Sequence, residues 1–504
     1  MSSASTKIIQ AAAGNADKAL YVEDVFSTYL YEGTGVSHTI QNGIDLTEGG
    51  LVWTKSRGAH NHYLFDSARG VTCALQSNTT NIQYCDSTQV SAFTSDGFTV
   101  GTDGSANLNG RDYVSWTFRK APKFFDVVTW TGDGSAGPFT LSHNLGSSVG
   151  MSVVKVTSHT GDWITNHRSV PTKYLHLNSS ISAQTDVTMT STDSTITFNG
   201  SNVYYNFSGR NYVAYLFAHN DGDGEFGEDA DQDIIKCGSF TADNAGGGAY
   251  TGAATVNLGF EPQFVILKQV DSTLSVPDWM ILDTMRGYRA RENTASDIGQ
   301  QRLLANASSS EVTSGGASFP TSTGFGALQL TGGATYIYMA IRRGPMKTPT
   351  LGTEVFTAAT TGTSDNTEFR PENVDMAMFA KRGGDSENFQ VADRVRGFQS
   401  TNTNSDDGYT TATLETNNSN AEDTSGTSIH QTEGQDSGGG PYVRSASSGS
   451  NFLMYRFKRA PGFFDLVAYA GDGTSGRTVS HNLGVAPELT VVKRRNSSAL
   501  WVVG

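Results

Sequence analysis

Residues 119–134 read Arg-Lys-Ala-Pro-Lys-Phe-Phe-Asp-Val-Val-Thr-Trp-Thr-Gly-Asp-Gly, and residues 458–473 read Lys-Arg-Ala-Pro-Gly-Phe-Phe-Asp-Leu-Val-Ala-Tyr-Ala-Gly-Asp-Gly. The similarity continues through Ser-His-Asn-Leu-Gly at 142–146 and 480–484, and then through Val-Val-Lys at 153–155 and 491–493. Self-similarity at a fixed offset is the sequence signature of a repeat architecture. This chain is therefore built from repeated units.

Weaker internal similarities indicate a shorter repeat period. An alternating aromatic and aliphatic run recurs four times, at 113–118, 212–217, 336–341 and 452–457, so the unit is about 113 residues long. Units of this size can bury a core of their own. We therefore predict an N-terminal docking segment at 1–20, β-sandwiches at 21–122, 123–220, 234–345 and 346–460, an acidic linker at 221–233, and a partial fifth sandwich at 461–504.

The local pattern indicates an all-β protein. Segments of five to eight β-branched and aromatic residues are bounded by Gly, Asp, Asn and Ser, as strands usually are. Many short strands at close spacing predict two packed antiparallel sheets in each unit. We expect tandem antiparallel β-sandwiches of jelly-roll type.

Composition excludes several classes of protein. The 504 residues carry a net charge of −14, whereas a nucleic-acid partner requires a basic face. No apolar run is long enough for membrane insertion. Three cysteines argue against a disulfide framework, although a Cys73–Cys85 bridge stays open as an alternative.

One polar motif recurs at the same place in three units. It comprises Asp66, Arg69 and Gly70, then Asp283, Arg286 and Gly287, then Asp393, Arg396 and Gly397; the second unit has Asn166-His167-Arg168 instead. A carboxylate–guanidinium pair that locks a loop explains the recurrence best. A ligand contact is the alternative.

The other candidate residues are weaker. His143 and His481 fit histidines that bond the backbone of their own turn, with a ligand contact or general base as the alternative. His60 and His62 with Asp66 could form a metal site, and Asp221, Asp223, Glu225 and Glu228 a calcium loop. We expect neither, and predict no metal or other cofactor. Gly146–Gly150 fits G-x-S-x-G, but a strand is predicted to follow where a nucleophile elbow needs a helix.

The motif Phe-Phe-Asp-Val-Val followed by Gly-Asp-Gly, His-Asn-Leu-Gly and Val-Val-Lys resembles repeats of virion structural and tail-fibre-like proteins of tailed bacteriophages, notably marine phages of cyanobacteria. The resemblance covers nearly all of residues 21–504. It implies concanavalin A-like sandwiches displayed on a phage particle. The third and fourth units depart from it, since they lack the histidine of His-Asn-Leu-Gly.

The resemblance implies a viral structural protein located in the virion, assembled in the host cytoplasm and not an enzyme. We expect a tail fibre that docks through its N-terminus to other tail or baseplate proteins. It would form a homotrimer and attach to a host-surface glycan or protein. The alternatives are a head decoration protein, a baseplate component, a virion-associated polysaccharide depolymerase and a secreted lectin. For the depolymerase, no paired carboxylates stand out in the sequence.

Overall fold

The computed structural model describes residues 19–200, 202–243, 252–271, 278–290, 301–312, 318–360, 374–382, 389–396, 413–422, 429–431, 441–443 and 451–504. Most of the predicted docking segment at 1–20 lies outside these residues, as does Gly397 of the recurrent motif.

The protein is all-β and contains several antiparallel sheets. We call residues 26–119, 125–218, 235–342 and 356–457 repeats 1 to 4, and residues 461–504 the C-terminal segment. In each of repeats 1 to 3 the first strand pairs with the last, and the last also pairs with the third. A separate sheet of three strands completes each of these repeats. Repeat 4 has the same strand order in its larger sheet.

The strands of repeat 1, in sheet order, are Phe26–Glu32, Asp112–Arg119, Gly50–Ser56 and His62–Asp66, then His38–Gln41, Gly97–Val100 and Val90–Thr94, then Cys73–Ala74 and Tyr84–Cys85. Those of repeat 2 are Phe125–Thr131, Asn211–Ala218, Val149–Val156, Trp163–His167 and Tyr174–His176, then Phe139–Ser142, Thr195–Asn199 and Thr188–Ser191.

The strands of repeat 3 are Ile235–Thr241, Thr335–Arg342, Pro262–Gln269, Met280–Asp283 and Leu303–Leu304, then Gly252–Asn257, Gly324–Leu330 and Ser318–Thr321. Those of repeat 4 are Phe356–Thr360, Asn451–Phe457, Met376–Arg382, Gln390–Asp393 and Leu414–Glu415, then Ile429–Gln431 and Pro441–Val443. The C-terminal segment has Val491–Val492 and Val502–Val503. Short helical turns are Val22–Val25, Gly104–Asn107 and Asn202–Tyr205, with 3-10 turns at Leu46–Glu48 and Gly352–Glu354.

The recurring aromatic runs are the central strands of the larger sheets. We call the last strand of each repeat its closing strand: Asp112–Arg119, Asn211–Ala218, Thr335–Arg342 and Asn451–Phe457. In repeat 2 this strand is buried from Tyr212 to Ala218. One of its faces packs within the repeat, where Tyr212 stacks on Trp130 with ring centroids 5.2 Å apart. The other face packs against the neighbouring repeats. Because both faces are buried, the run in repeat 2 is apolar at every position.

Repeats 1, 2 and 3 share one hydrophobic core. Equivalent positions of their third strands meet there: Leu51, Met151 and Phe264 line the same apolar pocket, as do Trp53, Val153 and Ile266. The buried cluster runs from Val22 to Met346. The sequence predicts units that each bury their own core. In the structure, repeats 1 and 3 do have such cores between their sheets, but the shared core joins the three repeats into one body.

The cysteines differ from expectation. Cys73 and Cys85 form a disulfide between two short paired strands of repeat 1, while Cys237 is a buried free thiol. The odd, sparse count argued against disulfides, but strand pairing places Cys73 directly opposite Cys85. Register, which composition does not encode, decides this pair.

Candidate functional site

The junctions between repeats 1, 2 and 3 are the sites where the recurring polar residues collect. At one equivalent position in each repeat, a ring N–H donates to a backbone carbonyl of a neighbouring repeat. These bonds run from Trp163 Nε1 to Gln76 O at 2.9 Å, from Trp279 Nε1 to His176 O at 2.9 Å, and from His62 Nε2 to Leu304 O at 2.9 Å. Repeat 2 thus contacts repeat 1, repeat 3 contacts repeat 2, and repeat 1 contacts repeat 3. The three repeats form a closed ring.

The recurrent acid–arginine motif forms a buried ion pair at the corner after the fourth strand. In repeat 1, Arg69 donates from its backbone N–H to Asp66 Oδ1 at 2.8 Å and from Nε to Asp66 Oδ2 at 2.6 Å. Its guanidinium also reaches Leu64 O at 3.0 Å. Gly70 follows with φ of +97°, a conformation that glycine adopts at little cost. This is the loop lock that the motif predicts.

The same lock recurs with the same atoms. Arg286 Nε bonds Asp283 Oδ2 at 2.6 Å in repeat 3, where Gly287 has φ of +105°. Arg396 pairs with Asp393 in repeat 4. Both pairs are almost wholly buried. Burial of a paired charge is tolerated best when its remaining hydrogen-bonding capacity is used.

Each corner in the ring also receives a group from a neighbouring repeat's closing strand. Tyr215 OH donates to Asp66 Oδ2 at 2.7 Å, and Trp116 Nε1 donates to Asp283 Oδ2 at 3.0 Å. In repeat 2, His167 stands where the aspartate would be, and its Nε2 lies 3.1 Å from Tyr338 O. The corners therefore serve the fold of one repeat and its attachment to the next.

A further carboxylate, that of Glu311, lies with Asp283 at the junction of repeats 1 and 3. Glu311 of repeat 3 pairs with Arg57 of repeat 1 at 2.6 Å and with Arg286 at 2.9 Å. All three side chains are at most 4% exposed. One carboxylate thus neutralises two guanidinium groups where the ring closes. Nothing in the sequence pattern marked Arg57 or Glu311, because neither belongs to a repeated motif.

A second buried charge cluster joins the ring to repeat 4 and to the C-terminal segment. Glu261 of repeat 3 accepts from Arg343 at 2.9 Å and from Arg459 at 3.0 and 2.7 Å. Arg343 and Arg394 pair with Asp375 of repeat 4. Arg343 and Arg459 are therefore buried connectors between repeats.

The lysine of Val-Val-Lys and its equivalents are buried at these junctions. Lys155 Nζ donates to Thr80 O of repeat 1 at 3.1 Å and to Gly161 O at 2.7 Å. Lys268 Nζ donates to Ser180 O of repeat 2 at 2.8 Å. Burial lowers the pKa of Lys155 and of Lys268 to about 8, and that of Lys55 to about 7. Backbone carbonyls of a neighbouring repeat hold the ammonium groups of Lys155 and Lys268.

The predicted turn histidines bond their own turns. His143 Nδ1 accepts from Leu145 N at 3.3 Å, and His481 Nδ1 accepts from Leu483 N at 3.2 Å. His143 is buried, and burial lowers its pKa, whereas His481 is exposed. An imidazole Nδ1 that accepts a backbone hydrogen bond stabilises this turn in both copies.

Residues of the candidate metal sites make hydrogen bonds or ion pairs, or are exposed. Both nitrogens of His62 are engaged, since Nδ1 accepts from Trp53 Nε1 at 3.0 Å. In the acidic segment, Asp223 pairs with Lys123 at 3.0 Å, while Glu225 and Glu228 point into solvent. Among the described residues, no three His, Cys, Asp or Glu side chains cluster as a metal site would.

The G-x-S-x-G stretch has no nucleophile elbow. Ser148, the serine of the motif, is exposed, and the strand Val149–Val156 follows it directly where a nucleophile elbow needs a helix. In the described part of the chain, no helix has the length and apolar character needed to cross a bilayer.

A family model described as a domain of unknown function, DUF7483, matches residues 22–345 and 354–504. The first match spans the ring of repeats 1 to 3, and the second spans repeat 4 and the C-terminal segment. None of the curated proteins matches the chain.

Proposed function

Because this chain belongs to the DUF7483 family, whose function is unknown, we propose from its own residues that it is a structural protein of a phage virion. In this proposal the chain is a tail fibre or similar appendage. It docks through its N-terminal segment to tail or baseplate proteins, forms a homotrimer and presents its repeats to a host-surface glycan or protein.

The observation that carries the structural role is the use made of the recurring polar residues. The corner pairs Asp66–Arg69 and Asp283–Arg286 each bind a group from another repeat, and Lys155 and Lys268 do the same. These side chains hold neighbouring repeats together. A protein that must stay rigid outside a cell gains from such interlocking. The phage setting, the homotrimer and the host receptor are supported by the resemblance of the repeats alone.

The finer fold assignment is also part of the proposal. In repeat 2 the first strand pairs with the last, and Phe139–Ser142 pairs with Thr195–Asn199. This nested pairing of outer with outer and inner with inner strands supports a jelly-roll or concanavalin A-like sandwich. In repeats 2 and 3 the fourth and fifth strands extend the larger sheet, so these repeats are variants of that pattern.

The test is to locate the chain on its particle by cryo-electron microscopy, with gold-labelled antibodies against the chain on purified virions. We expect threefold density that projects from the tail, with the N-terminal antibody at the tail wall. Density on the capsid lattice would replace the appendage with a head decoration protein. Absence from purified virions would overturn the proposal. Release of oligosaccharides from host polysaccharide by the purified chain would favour a depolymerase.

A further inference from the structure

Each repeat of the ring contacts the next repeat through one loop. The two ends of each loop are paired across an antiparallel bridge, and these end pairs have the same separation along the chain: Ala74 with Tyr84, Tyr174 with Gln184, and Arg302 with Val312. We call residues 74–84, 174–184 and 302–312 the junction loops, and the end pair of each loop its neck.

The junction loops bind their neighbours through main-chain groups. The last residue before each neck donates its backbone N–H to a carbonyl of the next repeat. These bonds run from Gln83 N to Thr157 O at 3.0 Å, from Ala183 N to Val270 O at 2.9 Å, and from Glu311 N to Arg57 O at 2.8 Å. The three junctions are therefore built on the same main-chain contact.

The junction loop of repeat 1 makes further main-chain contacts with repeat 2. Gln76 O accepts from Trp163 Nε1 at 2.9 Å. Thr80 O accepts from Gly161 N at 3.0 Å and from Lys155 Nζ at 3.1 Å. Because the acceptors are carbonyl groups, these contacts depend on the path of the loop's backbone. Whatever fixes that path fixes the junction.

The necks of repeats 1 and 2 are held in different ways. In repeat 2, Tyr174 is buried, and its ring packs against Tyr204 with centroids 5.3 Å apart. In repeat 1, Ala74 stands at the position of Tyr174, and Tyr84 is 61% exposed. The disulfide Cys73–Cys85 lies directly outside this neck. A covalent bond thus closes the loop of repeat 1 where side-chain packing closes the loop of repeat 2.

We propose that the Cys73–Cys85 bridge is a redox lock on the junction between repeats 1 and 2. In the oxidised chain the bridge holds the junction loop of repeat 1 against repeat 2. In the reduced chain this loop opens, while the junctions of repeat 2 with repeat 3 and of repeat 3 with repeat 1 stay closed.

The bridge is accessible to a thiol from one side, since Cys85 is exposed whereas Cys73 is 8% exposed. A low-molecular-weight thiolate attacks Cys85 Sγ, the S–S bond breaks, and Cys73 leaves as a thiolate that takes up a proton. A second thiol attacks the mixed disulfide and releases the thiol of Cys85. The bridge gains two electrons and two protons, and two external thiols become one disulfide. A low-molecular-weight disulfide closes the lock by the reverse exchange.

The lock responds to the environment of the chain. Cytosolic thiols keep such bridges reduced, whereas extracellular conditions keep them oxidised. The ring is therefore fastened at this junction when the chain passes from a reducing to an oxidising environment. This inference is independent of the proposed virion role, because it rests on the junction loop and its contacts.

The test is amide hydrogen exchange of the full chain with and without dithiothreitol, read at single residues by mass spectrometry with electron-transfer fragmentation. Exchange reports local opening of the hydrogen bond that an amide makes. We expect reduction to accelerate exchange about tenfold or more at Gln83 and Gly161, whose amides bond across the junction of repeats 1 and 2. The amides of Ala183 and Glu311, which bond across the other two junctions, are the internal controls and should exchange as before.

The matched variant is Cys73→Ser with Cys85→Ser. Its amides at Gln83 and Gly161 should exchange as those of the reduced chain do, with or without dithiothreitol. The variant keeps the buried thiol of Cys237, so its indifference to dithiothreitol would assign the redox response to the bridge alone.

Three results would overturn the proposal. Resistance of the bridge to dithiothreitol in the folded chain, seen by thiol alkylation, would remove the redox control. Unchanged exchange at Gln83 and Gly161 after reduction would show that packing alone holds the loop. Equal acceleration at Ala183 and Glu311 would make the bridge a stabiliser of the whole fold instead of a lock on one junction.

Discussion

The hydroxyl of Tyr215 offers the sharpest test of the ring. Tyr215→Phe removes one oxygen that lies 2.7 Å from Asp66 Oδ2 and 3.2 Å from the Arg69 guanidinium. The donor Tyr215 and the acceptor Asp66 are buried and belong to different repeats. The substitution keeps the ring of the side chain, which packs in the shared core. The substitution therefore removes only the hydrogen bonds that this hydroxyl makes to Asp66 and Arg69 of repeat 1.

The expected loss follows from the charge of the acceptor. A hydrogen bond to a charged group contributes about 1.5–3 kcal/mol. Asp66 keeps its two bonds from Arg69, so the carboxylate is not left unpaired and the larger penalty for an orphaned buried charge does not apply. We therefore expect the free energy of unfolding to fall by about 2 kcal/mol.

The assay is urea unfolding followed by both tryptophan fluorescence and far-UV circular dichroism. Coincident transitions are required, because free energies from the midpoint presume cooperative unfolding. Tyr84→Phe is the matched control: Tyr84 OH also donates to an aspartate, Asp86, at 3.2 Å, but this pair is exposed. It should leave the midpoint unchanged. A change below about 0.5 kcal/mol for Tyr215→Phe, the range of ordinary surface substitutions, would refute the reasoning.

Three further predictions concern the same body. Glu311→Gln leaves two buried guanidinium groups without their shared carboxylate and should lower the free energy of unfolding by about 3–5 kcal/mol. The control is Glu48→Gln: the Glu48 side chain is 59% exposed, so this substitution should change the free energy of unfolding little in the same urea assay. Equal effects of the two substitutions would contradict the ring closure. Because burial lowers the pKa of Lys155 to about 8 from 10.5, the unfolded chain binds more protons above pH 8. The urea midpoint should therefore rise between pH 8 and about 9.5, and Lys155→Met should reduce this slope. Thiol titration in denaturant should find one reactive thiol, Cys237, before reduction and three after it; Cys73→Ser should cost about 2–3 kcal/mol, and three thiols before reduction would rule the bridge out.

Much of the local structure could be read from the sequence. The alternating runs at 113–118 and 212–217 are strands, as predicted, because period-2 alternation of β-branched and aromatic residues matches a pleated strand. The pairing of Asp66 with Arg69 also followed, since a carboxylate and a guanidinium three residues apart in a turn reach each other readily. These features depend on neighbours in the chain.

Contacts between repeats could not be read in this way. Arg57 and Glu311 are 254 residues apart and belong to no motif, so nothing in the pattern paired them. Lys155 appeared only as part of a recurring Val-Val-Lys. The Cys73–Cys85 bridge depended on strand register. In each case the decisive fact is which surfaces meet, and the period of the pattern carries no information about that.

That the chain is a β-rich repeat protein follows from its sequence, because hydrophobic alternation and internal similarity are local properties. That repeats 1 to 3 close into a ring follows only from their tertiary contacts. Each closing strand in the ring has an apolar face that finds its partner only where the three repeats meet at Leu51, Met151 and Phe264.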